Sequence, residues 1–370
     1  MKKRISNLEL LRIVSMFLIV LHHCSLFAFP NIDWAGSFNK TVVDWLSLGG
    51  KLGVNCFILI SGYFMAHSKF TLQKFLKLAG SVWFYSVAIM LVFVLLSHSS
   101  GNILSIIQNF FPIIYKRYWF ISAYVVLMLL SPFLNFFMHR TDRIMHRNLI
   151  LLLTVMWSIM KTLIASDLAY NTLGWFIMLY LIAGYIRLYG NSLHNSKKHF
   201  LVAGMFTLLL MASVLTFNIL GNKFHIQAFL AYSTYFAHDY SFILLIIAIE
   251  LFIGFLTTTP FTNSGINTLA SATLGVYLIH ANGYLSPFIW TSIFHFEKVF
   301  HSPFLFLYEL GAASIVYIVC TAIDLCRQYT IEKIYLICIN SFLTKKEASC
   351  RSAICNIAHS IKKLLIRFYR

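Results

Sequence analysis

Two side chains near the start of the chain, Arg12 and His23, are of chemically useful types, and their spacing brings them together. They lie eleven residues apart in an otherwise mostly apolar stretch, NLELLRIVSMFLIVLHHC, residues 7–24. On a helix that separation leaves them roughly 20° apart in azimuth and roughly 16 Å apart along the axis. A guanidinium suits phosphate or carboxylate, and an imidazole transfers protons near neutral pH. The pair therefore fits a substrate with an anionic handle held at Arg12 while its reactive end meets His23. Glu9, three residues before Arg12, shares the face and lies within pairing reach. His22 points about 100° away from His23, so the adjacent imidazoles cannot chelate one ion, and no metal site is expected. The bland alternative stays open at this point: Arg12 could snorkel to an interface, paired with Glu9, and His23 could be a satisfied interfacial histidine. The chemical reading requires both groups to face one water-accessible cavity within the bilayer.

The element carrying them must be a membrane helix. The 370 residues are 59% hydrophobic and only 11% charged, whereas a soluble chain carries about 25% charged residues. The apolar runs are long and unbroken, which excludes the short alternating segments of a β-barrel, and uncovered backbone in lipid then leaves only helices. The fold class is all-α, a polytopic integral membrane protein with about ten transmembrane helices. Spans are expected at 8–29, 50–66, 79–97, 119–138, 148–165, 172–189, 200–220, 240–258, 267–286 and 304–325, each near the roughly 20 residues needed to cross. The stretch 224–236 is too short and reads as interfacial. Membrane lipid is thus one partner.

The net charge of +17 does not point to nucleic acid, because the basic residues are not interleaved with aromatics in a polar domain. They mark sidedness instead. Lys2, Lys3 and Arg4, then Lys69, Lys74 and Lys77, then Arg140, Arg143 and Arg147, then Arg187, Lys197 and Lys198 all fall on one side if the N-terminus is cytoplasmic. Lys116 and Arg117 break the pattern, either as site residues facing an anionic group or as a local exception. The basic, weakly amphipathic segment 329–370 reads as a cytoplasmic tail against the anionic leaflet, leaving 1–328 as the membrane domain. Seven scattered cysteines with no CxxC pair indicate neither a disulfide framework nor zinc. The basic start is not followed by a small-residue cleavage site, so the first helix should be retained.

Four segments, in order along the chain, together resemble the membrane acyltransferase 3 family. The opening NLELLRIVSMFLIVLHH has the family's Arg, ten residues, His; GVNCFILISGYF (53–64), RYWFISAYVVLMLLSPFL (117–134) and SATLGVYLIH (271–280) are similar to its second-helix, Tyr-Trp and late Gly-Val-Tyr-Leu-His elements. Where the family often has Asp before its Leu-Arg, this chain has Glu9 slightly earlier.

The resemblance implies a multi-pass enzyme of the bacterial inner or plasma membrane, with both termini cytoplasmic. It would move an acetyl or other acyl group from an acyl-CoA, usually acetyl-CoA, to a sugar hydroxyl of a surface glycan or lipid-linked sugar. Arg12 and His23 carry over as the essential pair. Joining both readings, Glu9, Asn55, Ser61, Tyr118, Trp119 and His280 are expected to contact substrate, and Arg12, Lys116 and Arg117 the donor. Gly53, Gly62 and Gly275 should permit close helix approach. A transporter or flippase for a lipid-linked saccharide is the main rival. A polymerase would need a larger outer loop, and a sensor would need an output domain.

Overall fold

The computed structural model describes residues 5–29, 37–96, 102–190, 193–341 and 344. It is all-helical, and among the described residues nine helices are long and apolar enough to cross a membrane. In chain order they begin with α1 (Asn7–Phe27), then α2 (Phe38–Ser47) and α3 (Gly49–Met65), which a bend at Leu48 joins into one span, and α4 (Leu72–Leu95). The short α5 (Ile103–Phe110) precedes α6 (Trp119–Arg140). Next comes α7 (Arg143–Thr154), continued through a π-helical turn, Val155–Ile159, into α8 (Met160–Ile164). α9 (Thr172–Tyr189) and α10 (Ser196–Phe224) follow, then α11 (Gln227–Ala231) and α12 (Phe242–Thr257). The last group is α13 (Ser264–Ser271), α14 (Thr273–His280), α15 (Leu285–Pro287) and α16 (Leu305–Tyr329).

Most expected spans are present, and 172–189 coincides with α9. The span expected at 267–286 is the exception. It is a pair of short helices, α13 and α14, broken at Ala272. Broken helices persist at membrane depth where they are buried in protein, and α14 is walled in by α1, α4 and α16. Helix α4 starts seven residues before its expected position, because Thr71 caps it by accepting from the Lys74 N–H and its first turns carry lysines that hydropathy reads as loop. Asp142, Asn171 and Asn263 cap α7, α9 and α13 in the same way.

Helix α1 is the hub, packed against α2, α3, α12, α13, α14 and α16. Its contact with α3 is close because α3 presents glycines. A Cβ on Gly49 would lie 2.7 Å from Leu18, on Gly50 2.2 Å from the His22 ring, and on Gly53 2.5 Å from the Ser15 carbonyl. Gly62 meets Tyr180 and Ala183, and Gly275 lies where a Cβ would fall 2.0 Å from Asp324 Cγ. Gly53, Gly62 and Gly275 therefore act as expected, as points of close approach. By contrast, α10 leaves Leu201, Met205 and Leu208 exposed, as a lipid-facing helix would.

After α4 the chain folds back on it. Phe110 meets Trp83 edge-on, and Ser86 donates to Asn109. After a break at Thr330, residues 331–341 form another helix that returns to α4, where Lys77 pairs with Glu332 at 2.5 Å and Gln73 donates to Asn340. The first part of the expected tail thus packs on the bundle. Residues 342–370, apart from 344, lie outside the described residues, as do Lys2, Lys3 and Arg4.

Candidate active site

Arg12 Nη1 donates to Glu9 Oε2 at 2.6 Å, with the carboxylate buried and the guanidinium partly open. The guanidinium lines a cavity of about 450 Å³ together with Ser61, Lys69, Lys74, Lys77 and Tyr277. Met16, Phe57 and Phe120 complete its deeper wall. On its other side Arg12 borders a second recess of about 630 Å³, shared with Glu9, Tyr63 and Arg187. Arg187 donates to the Tyr63 hydroxyl at 2.7 Å. Five cations therefore gather at this end of the bundle, and such a set attracts polyanions such as phosphates. Ser61 and Arg12 share one cavity wall.

His23 sits further along α1 against α14. Its Nδ1 lies 3.0 Å from His280 Nε2, and His280 Nδ1 lies 2.6 Å from the Val276 carbonyl. A carbonyl only accepts, so His280 Nδ1 carries the hydrogen, and in a neutral ring its Nε2 is then an acceptor. His23 Nδ1 must donate to that acceptor, which leaves the lone pair on His23 Nε2. The Val276 carbonyl in α14 thus fixes a tautomer chain that leaves His23 Nε2 able to accept a proton.

His23 is not among the residues that line either recess at Arg12, whereas the spacing argument required one cavity for both. The Arg12 cavity closes on Phe120 and Tyr277, whose rings are 5.6 Å apart, and the Tyr277 ring stands 6.2 Å from His280. Tyr277 is the residue shared between the two centres. A small-to-large partition of this kind is invisible in helical spacing, which fixes azimuth but not what a neighbouring helix inserts.

The remaining expected residues divide. Asn55 is fully enclosed, donating to the Asp239 carbonyl and accepting from the Trp175 indole, so it braces α9 and the loop before α12. Tyr118 is buried too; its hydroxyl donates to the Leu278 carbonyl and accepts from Asn282, tying α6 to α14. Neither is open to a ligand. Trp119 is 40% exposed. Lys116 is exposed with a left-handed φ of 53°, and Arg117 lies over the Tyr284 ring. The structure does not bring this pair to the Arg12 cavity. The fold-back of α5 carries Arg117 to the segment after α14 instead.

Sequence reasoning passed over three features. Tyr277 lies inside the Gly-Val-Tyr-Leu-His element but reads as packing. Lys69, Lys74 and Lys77 served to orient the chain, not to line a site. Lys51 is an ionisable residue inside the second span, a signal as strong as those in α1.

A polytopic helical bundle with a basic cavity at one end of its hub helix and an oriented imidazole deeper in defines a membrane-embedded enzyme of group transfer. The model of the acyltransferase 3 family, an acyltransferase domain, matches residues 5–324, and the chain belongs to that family. It is an acyltransferase. Neither a curated protein nor a solved structure matches it.

Proposed function

We propose that the protein is an O-acyltransferase that moves an acetyl group from acetyl-CoA onto a sugar hydroxyl of a surface glycan or its lipid-linked precursor. The observation that carries this reading is the chain from the Val276 carbonyl through His280 to His23, which leaves His23 Nε2 as the base, one aromatic wall away from the basic Arg12 cavity. The basic end faces the cytoplasm of a bacterial cell, consistent with the charge pattern. Lys69, Lys74, Lys77 and Arg12 hold the donor's phosphates there, and the flexible arm threads past Phe120 and Tyr277 to His23. His23 Nε2 takes the acceptor's hydroxyl proton as the oxygen attacks the thioester carbonyl. The C–S bond breaks, and the imidazolium returns the proton to the departing thiolate. His280 Nε2, accepting from His23 Nδ1, steadies the imidazolium while it exists.

The test is His23→Ala in cells whose surface glycan carries the modification, followed by mass and proton NMR of the glycan, with label supplied as acetyl-CoA. Loss of a positioned base lowers rates by roughly 10²–10⁴-fold, so acetylation should fall to background at normal protein abundance, while His22→Ala keeps most of it. His22 points about 100° away from His23 around α1, toward the Ser47 carbonyl that its Nδ1 meets, and so lies off the proposed reaction path. Retained acetylation in His23→Ala would remove the base from the mechanism. A glycan that is exported or not, with its acyl content unchanged, would favour a transporter.

A further inference from the structure

Lys51 stands in the first turn of α3, at the depth of His22, about a turn and a half short of the far end of α1. Its Nζ lies 4.5 Å from the centre of the Trp119 ring. Its neighbour on α3, Gly50, packs against the ring of His22, the residue next to His23 on α1. Among the described residues no carboxylate lies within ion-pair distance of Lys51, although Lys40, Lys77 and Lys161 all have one. An unpaired ammonium within a span is expensive unless it serves a ligand. Here it is held by the face of an indole, the other surface that a sugar ring uses.

Resting on the acyltransferase mechanism above, we propose that Lys51 and Trp119 form the acceptor subsite and select a sugar that carries a negative charge. The pyranose packs on the exposed part of Trp119, its anionic group pairs with Lys51, and the hydroxyl to be acylated is thereby brought to His23 Nε2. The anion is either a carboxylate on the sugar itself, as in a hexuronic acid, or the phosphate that joins a sugar to a lipid carrier. An acceptor of this kind also fits the site's electrostatics, since Lys51 and Arg117 each rest on an aromatic ring, Trp119 and Tyr284.

The experiment uses the full chain in lipid nanodiscs with labelled acetyl-CoA and three acceptors. These are an oligosaccharide containing hexuronic acid, the same oligosaccharide with its carboxyls reduced to alcohols, and a neutral oligosaccharide on a polyprenyl diphosphate. Losing one charge-assisted contact raises KM by about ten-fold or more. Lys51→Met should do so for whichever charged acceptor wild type prefers, leave the acetyl-CoA KM within about two-fold, and be rescued by Lys51→Arg. The acceptor whose KM responds identifies the source of the charge. Equal use of the carboxyl-reduced and charged acceptors by wild type, or a fall in kcat alike on all three in Lys51→Met, would overturn the proposal, the latter by assigning Lys51 to the reaction itself. Absence of transfer to every acceptor would be a failure of the acyltransferase mechanism. The subsite then still stands or falls on quenching of Trp119 fluorescence, which the charged oligosaccharide should give, the reduced one should not, and Trp119→Phe should abolish.

Discussion

At the scale of single residues, Arg12 and His23, the two ends of the proposed site, stand out in the sequence, and what lies between them does not. Arg12 and His23 were legible because a charged and a titratable group in an apolar span announce themselves. His280 was legible through the late Gly-Val-Tyr-Leu-His element, but its role became clear only from the 3.0 Å contact with His23 across 257 residues of chain. That contact makes a sharp prediction. His280 touches His23 and not the cavity, so it positions the base. Groups that orient a working imidazole are worth roughly 10–100-fold by analogy with metal-bound histidines. His280→Ala should lower kcat by about that factor with little change in either KM. His280→Gln, whose amide oxygen can still accept from His23 Nδ1, should recover a good part of it. Steady-state kinetics on both variants decides the matter. An equal loss in Ala and Gln variants, or a loss confined to KM, would show that no tautomer is being held. Asn55 and Tyr118 teach the complementary lesson, because a polar residue in an apolar span can serve as a brace as readily as a liner, and only its partners tell which.

At the scale of elements, hydropathy located the spans, but glycine positions determine how closely they meet. The sequence suggested Gly53, Gly62 and Gly275 as contacts, yet it offered no way to rank them against Gly49, Gly50 or Gly204, since all sit in similar apolar surroundings. The structure ranks them by what a methyl group would meet. At Gly50 it would lie 2.2 Å from the His22 ring, wedging α3 away from α1 beside the base, whereas at Gly204 on α10 nothing lies within 4 Å. Overpacking costs about 1–3 kcal/mol, and Ala in place of an unconstrained helical Gly gains about 0.5–1 kcal/mol. Gly50→Ala should therefore lower the thermal midpoint of the detergent-solubilised protein by several degrees and reduce activity with it. Gly204→Ala should leave activity intact and hold or raise the midpoint. A Gly50→Ala protein as stable and active as wild type would mean that α1 and α3 do not approach as closely as described. The break at Ala272 was not legible at all. Residues 267–286 are apolar enough for a span, and it is burial against α1, α4 and α16 that permits two short helices there.

At the scale of the whole molecule, the first residues of the expected tail, 331–341, pack on the bundle as a strap. Arg327 near the end of α16 donates to Asp324 and to Glu332, both at 2.8 Å, and the Asp324 carboxylate also accepts from Tyr85. Glu332 reaches on to Lys77, which lines the Arg12 cavity, so the helix 331–341 is tied to the wall of the basic cavity itself. Sequence could not show this, because the segment's basic, weakly amphipathic character fits a membrane surface equally well. The ion pairs make the strap acid-sensitive. Burial alone would raise the Glu332 carboxyl, but Lys77 and Arg327 outweigh it and hold the group below its ordinary value. A carboxyl whose value is lowered by docking gives its full contribution above its ordinary range, about 4.3, and loses it as the pH falls below that range through the docked value. Amides of 331–341 should thus stay protected from hydrogen exchange at pH 5 and above and lose protection as the pH is lowered past about 4. In Glu332→Gln the strap should already be loosened at neutral pH, with acid adding little. Protection in the variant equal to wild type at neutral pH would assign the docking to Tyr335 and its packing on Gly80 and leave the Glu332 charge without a part in it.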